Sequence, residues 1–169
     1  MDLTFRTDLG RFNIRVCAML IHQEALLIMR DEAMPYVYLP GGRIQFQETA
    51  EAALQRELKE ELKIEAEILR PLWLCQSFFM ESSSQEKFHE LCLYFLVNPN
   101  NSERLIQDQT FSVEEGKRTH TFEWIPFSQI QKINLFPRFI QKALPDLPSQ
   151  LTLITENELT PGGFQDRIE

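Results

Sequence analysis

Gly42-Arg-Ile-Gln-Phe-Gln-Glu48-Thr-Ala-Glu-Ala-Ala-Leu-Gln-Arg56-Glu57-Leu58-Lys-Glu60-Glu61-Leu62-Lys63-Ile64 is the stretch on which the reading of this 169-residue chain turns. No Gly or Pro interrupts 48–62, and Ala, Leu, Glu, Gln and Lys dominate it, so the composition predicts a helix there. On that helix Glu57, Glu60 and Glu61 are related by i, i+3 and i+4 and share an arc of about 100°. Leu54, Leu58 and Leu62 fill the neighbouring arc and would anchor the helix against a sheet. Like charges at this spacing destabilise a helix by about a few tenths of a kcal/mol. A solvated acidic face is the plain account of such a trio. A dication that resolves the repulsion is the other, and oxygen-only ligands suit Mg²⁺ or Mn²⁺ rather than zinc.

The residues around the trio decide between the two accounts. The stretch resembles the Nudix box, whose pattern is Gly, five residues, Glu, seven residues, then Arg-Glu-aliphatic-any-Glu-Glu-any-Gly-aliphatic. Gly42, Glu48, Arg56, Glu57, Leu58, Glu60, Glu61 and Ile64 stand in register with it. Lys63 departs, standing where the family has glycine. That glycine lies just past the helix, in the usual place for a left-handed cap. Lysine there costs about 1 kcal/mol if the backbone still turns left-handed, but it sets a cation at the negative helix end.

The resemblance implies an α/β fold, the Nudix α/β/α sandwich with a mixed central sheet and a catalytic helix at about 48–62. It implies Mg²⁺- or Mn²⁺-dependent hydrolysis of a nucleoside diphosphate linked to a group X, by attack of water at phosphorus. Carried over residue by residue, Glu57, Glu60 and Glu61 match the metal carboxylates, and Gly41 or Gly42 would add a carbonyl ligand. Arg56 matches the arginine that orients the glutamates, Glu48 supports the site from the helix start, and Glu57 is the first choice for the base. A further carboxylate is expected from a loop before the following strand. Val113-Glu114-Glu115-Gly116 makes Glu115 the first choice and Glu114 the second. X is a phosphate or a sugar by default, because the markers of ADP-ribose and diadenosine-polyphosphate hydrolases are absent. A silent nucleotide-binding module and an isopentenyl diphosphate isomerase are the rival readings. The intact charged residues and the single-domain length argue against the first, and the lack of firm support for a catalytic cysteine argues against the second.

Outward from the box, Phe12 to Ile21 and Ala25 to Met29 read as strands joined at His22-Gln23-Glu24. Residues 66–79 and 88–97 read as two more, separated by a polar segment. The second is apolar on both faces, which places it centrally in a sheet. Its one acid, Glu90, shares a face with Cys92 and needs a partner, substrate or metal there. Arg30 ends a strand and Arg43 follows the glycine pair, so both could meet phosphate oxygens. His89 and His120 read as structural. Tyr36, Tyr38, Phe46, Phe78 and Phe79 include candidates for base stacking. Thr119 to Ile125 is a further strand, with short helices near 127–132 and 136–143. The domain is expected to span 1–145, with 146–169 a peripheral extension.

Composition sets the outer bounds. Seventeen basic and 25 acidic side chains give a net charge of −8, which excludes a nucleic-acid backbone binder. A small nucleotide-type diphosphate is the expected partner, and a homodimer is left open. Cys17, Cys75 and Cys92 are widely spaced in apolar runs and read as reduced core thiols. The N-terminus lacks the apolar region of a secretion signal, and no apolar run approaches the roughly 20 residues that span a bilayer. A soluble, cytoplasmic protein with no membrane partner is the expectation.

Overall fold

The fold is organised by one long strand that divides its side chains between two cores. The structure, a computed structural model, describes residues 1–31, 34–65, 67–99, 102–116 and 118–160, with the backbone alone at 104, 115 and 118. The strands are β1 (Thr4–Thr7), β2 (Gly10–His22), β3 (Ala25–Arg30), β4 (Val37–Tyr38), β5 (Gly41–Arg43), β6 (Glu67–Met80), β7 (Lys87–Asn98), β8 (Thr110–Glu115), β9 (Arg118–Pro126) and β10 (Thr152–Asn157). The helices are α1 (Ala50–Glu61), α2 (Glu103–Gln107) and α3 (Phe139–Ala143), with a 3₁₀ segment at Phe127–Lys132.

The sheet runs β10-β6-β7-β2-β3-β9-β8, with β1 and β5 added on β2 and β4 on β3. It is mixed: β2 runs parallel to β7, β10 runs parallel to β6, and the other pairs are antiparallel. Val16, Ala18 and Leu20 of β2 pack with Leu54, Leu58 and Leu62, beneath α1. Cys17 and Met19 point the other way, into a core completed by Trp73, Tyr94, Phe139 and Ile140. Period-two alternation thus makes the α/β/α sandwich. Among the described residues no helix is long and apolar enough to cross a membrane.

Local chemistry explains the turns. Gln23 and Glu24 both take positive φ, as a two-residue hairpin between twisted strands requires. Thr49 caps α1 by accepting a hydrogen bond from the Ala52 N–H at 3.2 Å. At the other end Lys63 has φ +59°, so the position keeps its left-handed turn without glycine, and its Nζ donates to the Glu60 carbonyl at 2.7 Å. That bond satisfies a carbonyl which the helix end leaves open.

Two segments differ from the sequence reading. Glu114 and Glu115 were expected in a loop, but they close β8, a strand hydrogen-bonded to β9. The alternation of Phe111 and Val113 with Ser112 and Glu114 lets one side of β8 pack while the other faces water. Residues 146–160 do not stand apart, because Ile154 and Glu156 of β10 are buried against the sheet. The three cysteines are buried and unoxidised.

Replacing Lys63 by glycine removes both the strain of the left-handed backbone and the bond to Glu60, while adding chain entropy to the unfolded state. Lys63→Gly should change stability by about 1 kcal/mol or less in denaturant titrations, and turnover by no more than a fewfold.

Candidate active site

The site grows from the approach to α1. Gln45 donates its backbone N–H to Glu48 Oε2 at 2.9 Å, which fixes that carboxylate ahead of the helix. Arg56, one face along α1, reaches back to it with two parallel bonds: Nε to Oε1 and Nη2 to Oε2, both 3.0 Å. Nη2 also donates to the Arg43 carbonyl at 3.0 Å, and Nη1 donates to Glu57 Oε1 at 2.6 Å. The Arg56 hydrogen bonds hold the Glu48 carboxyl below its usual range. A fork of this shape needs arginine, because lysine is a point donor with no fixed plane.

Glu57 is then pressed onto the glycine pair. A Cβ on Gly42 would overlap the Glu57 carboxylate, so glycine is what lets that carboxylate rest against β5. Gly41, at φ +144°, leaves no room for a Cβ against the Val16 carbonyl. Its N–H donates to Glu61 Oε2 at 2.9 Å. Burial raises the carboxyl of Glu57 against the pull of Arg56, and pushes Glu61 up to about 8. Glu60 lies 3.6 Å from Arg56 Nη1 and is about half exposed.

Two features suit this set to a hard divalent cation. Its donors are all oxygens, and the glycines bring β5 against the carboxylates without intervening side chains. Among the described residues, no three acidic, histidine or cysteine side chains already converge on one metal position. Glu57 and Glu60 lean to Arg56, and Glu61 to Gly41.

Beyond β5 opens a cleft of about 570 Å³. Its floor follows from strand register: Glu90, Ser77 and Glu156 form one row across β7, β6 and β10, which Asn13 of β2 continues beyond the cleft lining. Arg15, opposite Arg43 on β5 and Cys92 on β7, stands in the next row. Arg15 Nη2 donates to the Gly41 carbonyl at 3.3 Å, and its Nε is buried without a hydrogen-bond partner among the described residues. Asn13 Nδ2 donates to Glu90 Oε2 at 3.4 Å. Tyr36, Tyr38 and Phe78 supply aromatic wall. Burial raises both tyrosine hydroxyls, Tyr38 to about 12.

The structure brings together Gly41, Gly42, Glu48, Arg56, Glu57, Glu60 and Glu61, with Arg43 and Glu90 lining the adjoining cleft. Arg30 is not among them; it pairs with Glu123 of β9 at 3.0 Å and does not line the cleft. Phe46 is largely exposed, also away from the cleft. The Glu115 side chain lies outside the described residues. Arg15 and Asn13 were not singled out from sequence. The signal was there, as two polar side chains at i, i+2 entering the apolar run of β2.

A family model described as NUDIX domain matches residues 11–147. No curated protein is a match to the chain. Solved structures share the fold. The mutator MutT protein from Bacillus halodurans superposes with a TM-score of 0.59 at 11% identity, covering 93% of this chain and 97% of that one. An ADP-ribose pyrophosphatase from Streptococcus suis gives 0.54 at 11% identity, over 85% and 98%. A MutT protein from Methanosarcina mazei gives 0.52 at 17% identity, over 78% and 88%.

The contact at Gly42 can be tested directly. A methyl group there meets only the far end of a flexible side chain, so Gly42→Ala should fold with nearly unchanged melting temperature. It must displace the Glu57 carboxylate, and misplacement of about 1 Å at a reacting group costs roughly 10²-fold in rate. Thermal melts and turnover of the same preparation separate the two effects.

Proposed function

The chain belongs to the Nudix family, and we propose that it hydrolyses the phosphoanhydride of a nucleoside diphosphate linked to X, with Mg²⁺ or Mn²⁺ bound. The observation that carries this reading is the Arg56 fork, which joins Glu48 to Glu57 while Glu57 rests on Gly42. Glu57, Glu60 and Glu61 would hold the cation, with a carbonyl from Gly41 or Gly42, and when bound it neutralises phosphate charge and acidifies water.

The remaining work falls to side chains. Arg56 fixes Glu57 through Oε1, leaving Oε2 to accept the proton of the attacking water. The water oxygen bonds to one phosphorus as the bridging P–O bond breaks, and the leaving phosphate takes the electron pair. Arg15 and Arg43, facing the cleft beside β5, stabilise the charge on the phosphates. The products are a nucleotide and phosphorylated X, or pyrophosphate where X is a phosphate.

A panel of nucleoside triphosphates, UDP-glucose and ADP-ribose, assayed by chromatography for release of nucleoside mono- and diphosphates with and without Mg²⁺, tests the reading. Metal-dependent release from at least one is expected; none at all overturns it. Added Mg²⁺ should raise the melting temperature, since a ligand of the folded state stabilises it. The double variant Glu60→Gln, Glu61→Gln should lose that rise.

Glu57→Gln keeps shape but removes charge and basicity. It should lower kcat by at least about 10³-fold at saturating Mg²⁺ while the fold persists. Retention of more than a tenth of the rate would reassign the base to another carboxylate.

A further inference from the structure

The family match ends at residue 147, yet the cleft does not. Glu156 of β10 and Glu158 just beyond it both line the cleft. The Glu158 N–H donates to the Phe78 carbonyl at 2.8 Å, so β10 remains paired to β6 past its last strand residue. The opposite wall is the segment carrying Asn134, Phe136 and Arg138. It is tied to β10 where the Phe139 N–H donates to Glu156 Oε1 at 2.6 Å. Both residues are about 97% buried, each with 3% relative exposure. A buried N–H deprived of its acceptor has no water to turn to, so this bond sets the spacing of the two walls.

Charge along the cleft is uneven. Arg15 and Arg43 mark the end at β5, beside the helix carboxylates. At the β10 end Ser77 and Glu158 line the cleft, with Arg138 the cation beside Glu158, while Glu90 of β7 lies between the two ends and its charge acts on Arg15. Phosphates held near β5 therefore direct the other end of the substrate to β10. A further phosphate there would meet carboxylates, whereas an uncharged ring bearing hydroxyl or amino donors would meet acceptors.

We propose that β10 completes the substrate cleft and selects an uncharged, donor-bearing base or sugar, with Glu156 as the residue that positions the facing wall. The proposal rests on the hydrolytic reading for the location of the phosphates, but its test does not require turnover. In the sheet order β6, β7 and β2 separate β10 from β5, so disturbance at Glu156 acts on binding and not on the chemical step.

The probes are the four common nucleoside monophosphates, ribose 5-phosphate and glucose 1-phosphate, none of which has an anhydride to hydrolyse. Inorganic phosphate is the control. In calorimetric titrations of the full chain, Glu156→Leu should raise the Kd of the tightest-bound probe at least tenfold and leave inorganic phosphate unchanged. Glu156→Gln retains an acceptor oxygen and should stay within threefold of wild type. On any substrate found in the panel, Glu156→Leu should raise KM and keep kcat within threefold. Glu158→Ala, altering an exposed side chain, carries the test if Glu156→Leu does not fold, and should raise the same Kd at least threefold. Unchanged Kd in the folded variants, or failure of every organic probe to bind wild type, overturns the proposal. Organic probes that bind and respond while the panel shows no hydrolysis would sink the hydrolytic reading and leave β10 as the selecting wall.

Discussion

Arg56 carries five N–H donors in one rigid plane, and in this fold four hydrogen bonds run from them to Glu48, Glu57 and the Arg43 carbonyl, so the helix, its approach and β5 meet at a single group. The charge-assisted bonds to Glu48 use both carboxylate oxygens, which fixes the guanidinium plane before Glu57 is engaged. Glu57 is thereby aimed by a residue that is itself aimed. Catalytic placement to a fraction of an ångström is commonly achieved this way, with the reacting group held by a partner whose own rotamer is locked. The burial of Leu54, Leu58 and Leu62 holds α1 against the sheet, each contributing roughly 1.5–3 kcal/mol. That leaves the polar face free to carry charges that repel one another.

Those charges sit in an environment that discourages them. Burial raises both Glu57 and Glu61, and the neighbouring acids add to the effect. The Gly41 N–H and Arg56 offset part of the cost without removing it. A cluster of this kind stores a demand for positive charge that its protein donors only partly meet. The glycines matter for the same reason: they bring backbone, not side chain, against the acids, and so leave space on the side that lacks a partner.

The box and its helix were legible because period, spacing and composition all point one way over more than twenty residues. The hairpin at Gln23-Glu24, the central position of β7 and the reduced cysteines were legible for similar local reasons. What escaped is non-local. β8 is short, and its strand character comes from pairing with β9. β10 is a six-residue segment that shows its role only once Ile154 and Glu156 are seen against β6. Arg30 and Arg15 illustrate the limit at the site. Both are arginines on strands near the box, yet register turns one toward Glu123 and the other onto the cleft floor. A difference of face cannot be read from identity or from distance along the chain.

The net charge of −8 poses an evident difficulty for a polyanionic substrate. It is a difficulty of long-range attraction rather than of binding. Screening at ordinary salt limits exposed charges to a reach of about 10 Å, so a ligand inside the cleft responds to its immediate lining. There the two ends differ, with Arg15 and Arg43 at β5 and Ser77 and Glu158 at β10. Such a gradient orients a molecule that is charged at one end and neutral at the other. The overall acidity adds a second filter, because free polyanions are repelled more strongly than those already complexed with a divalent cation. On this view the acidic surface does not oppose the proposed reaction. It favours delivery of the substrate in its metal-bound form, to a site whose acids lack a full complement of positive partners.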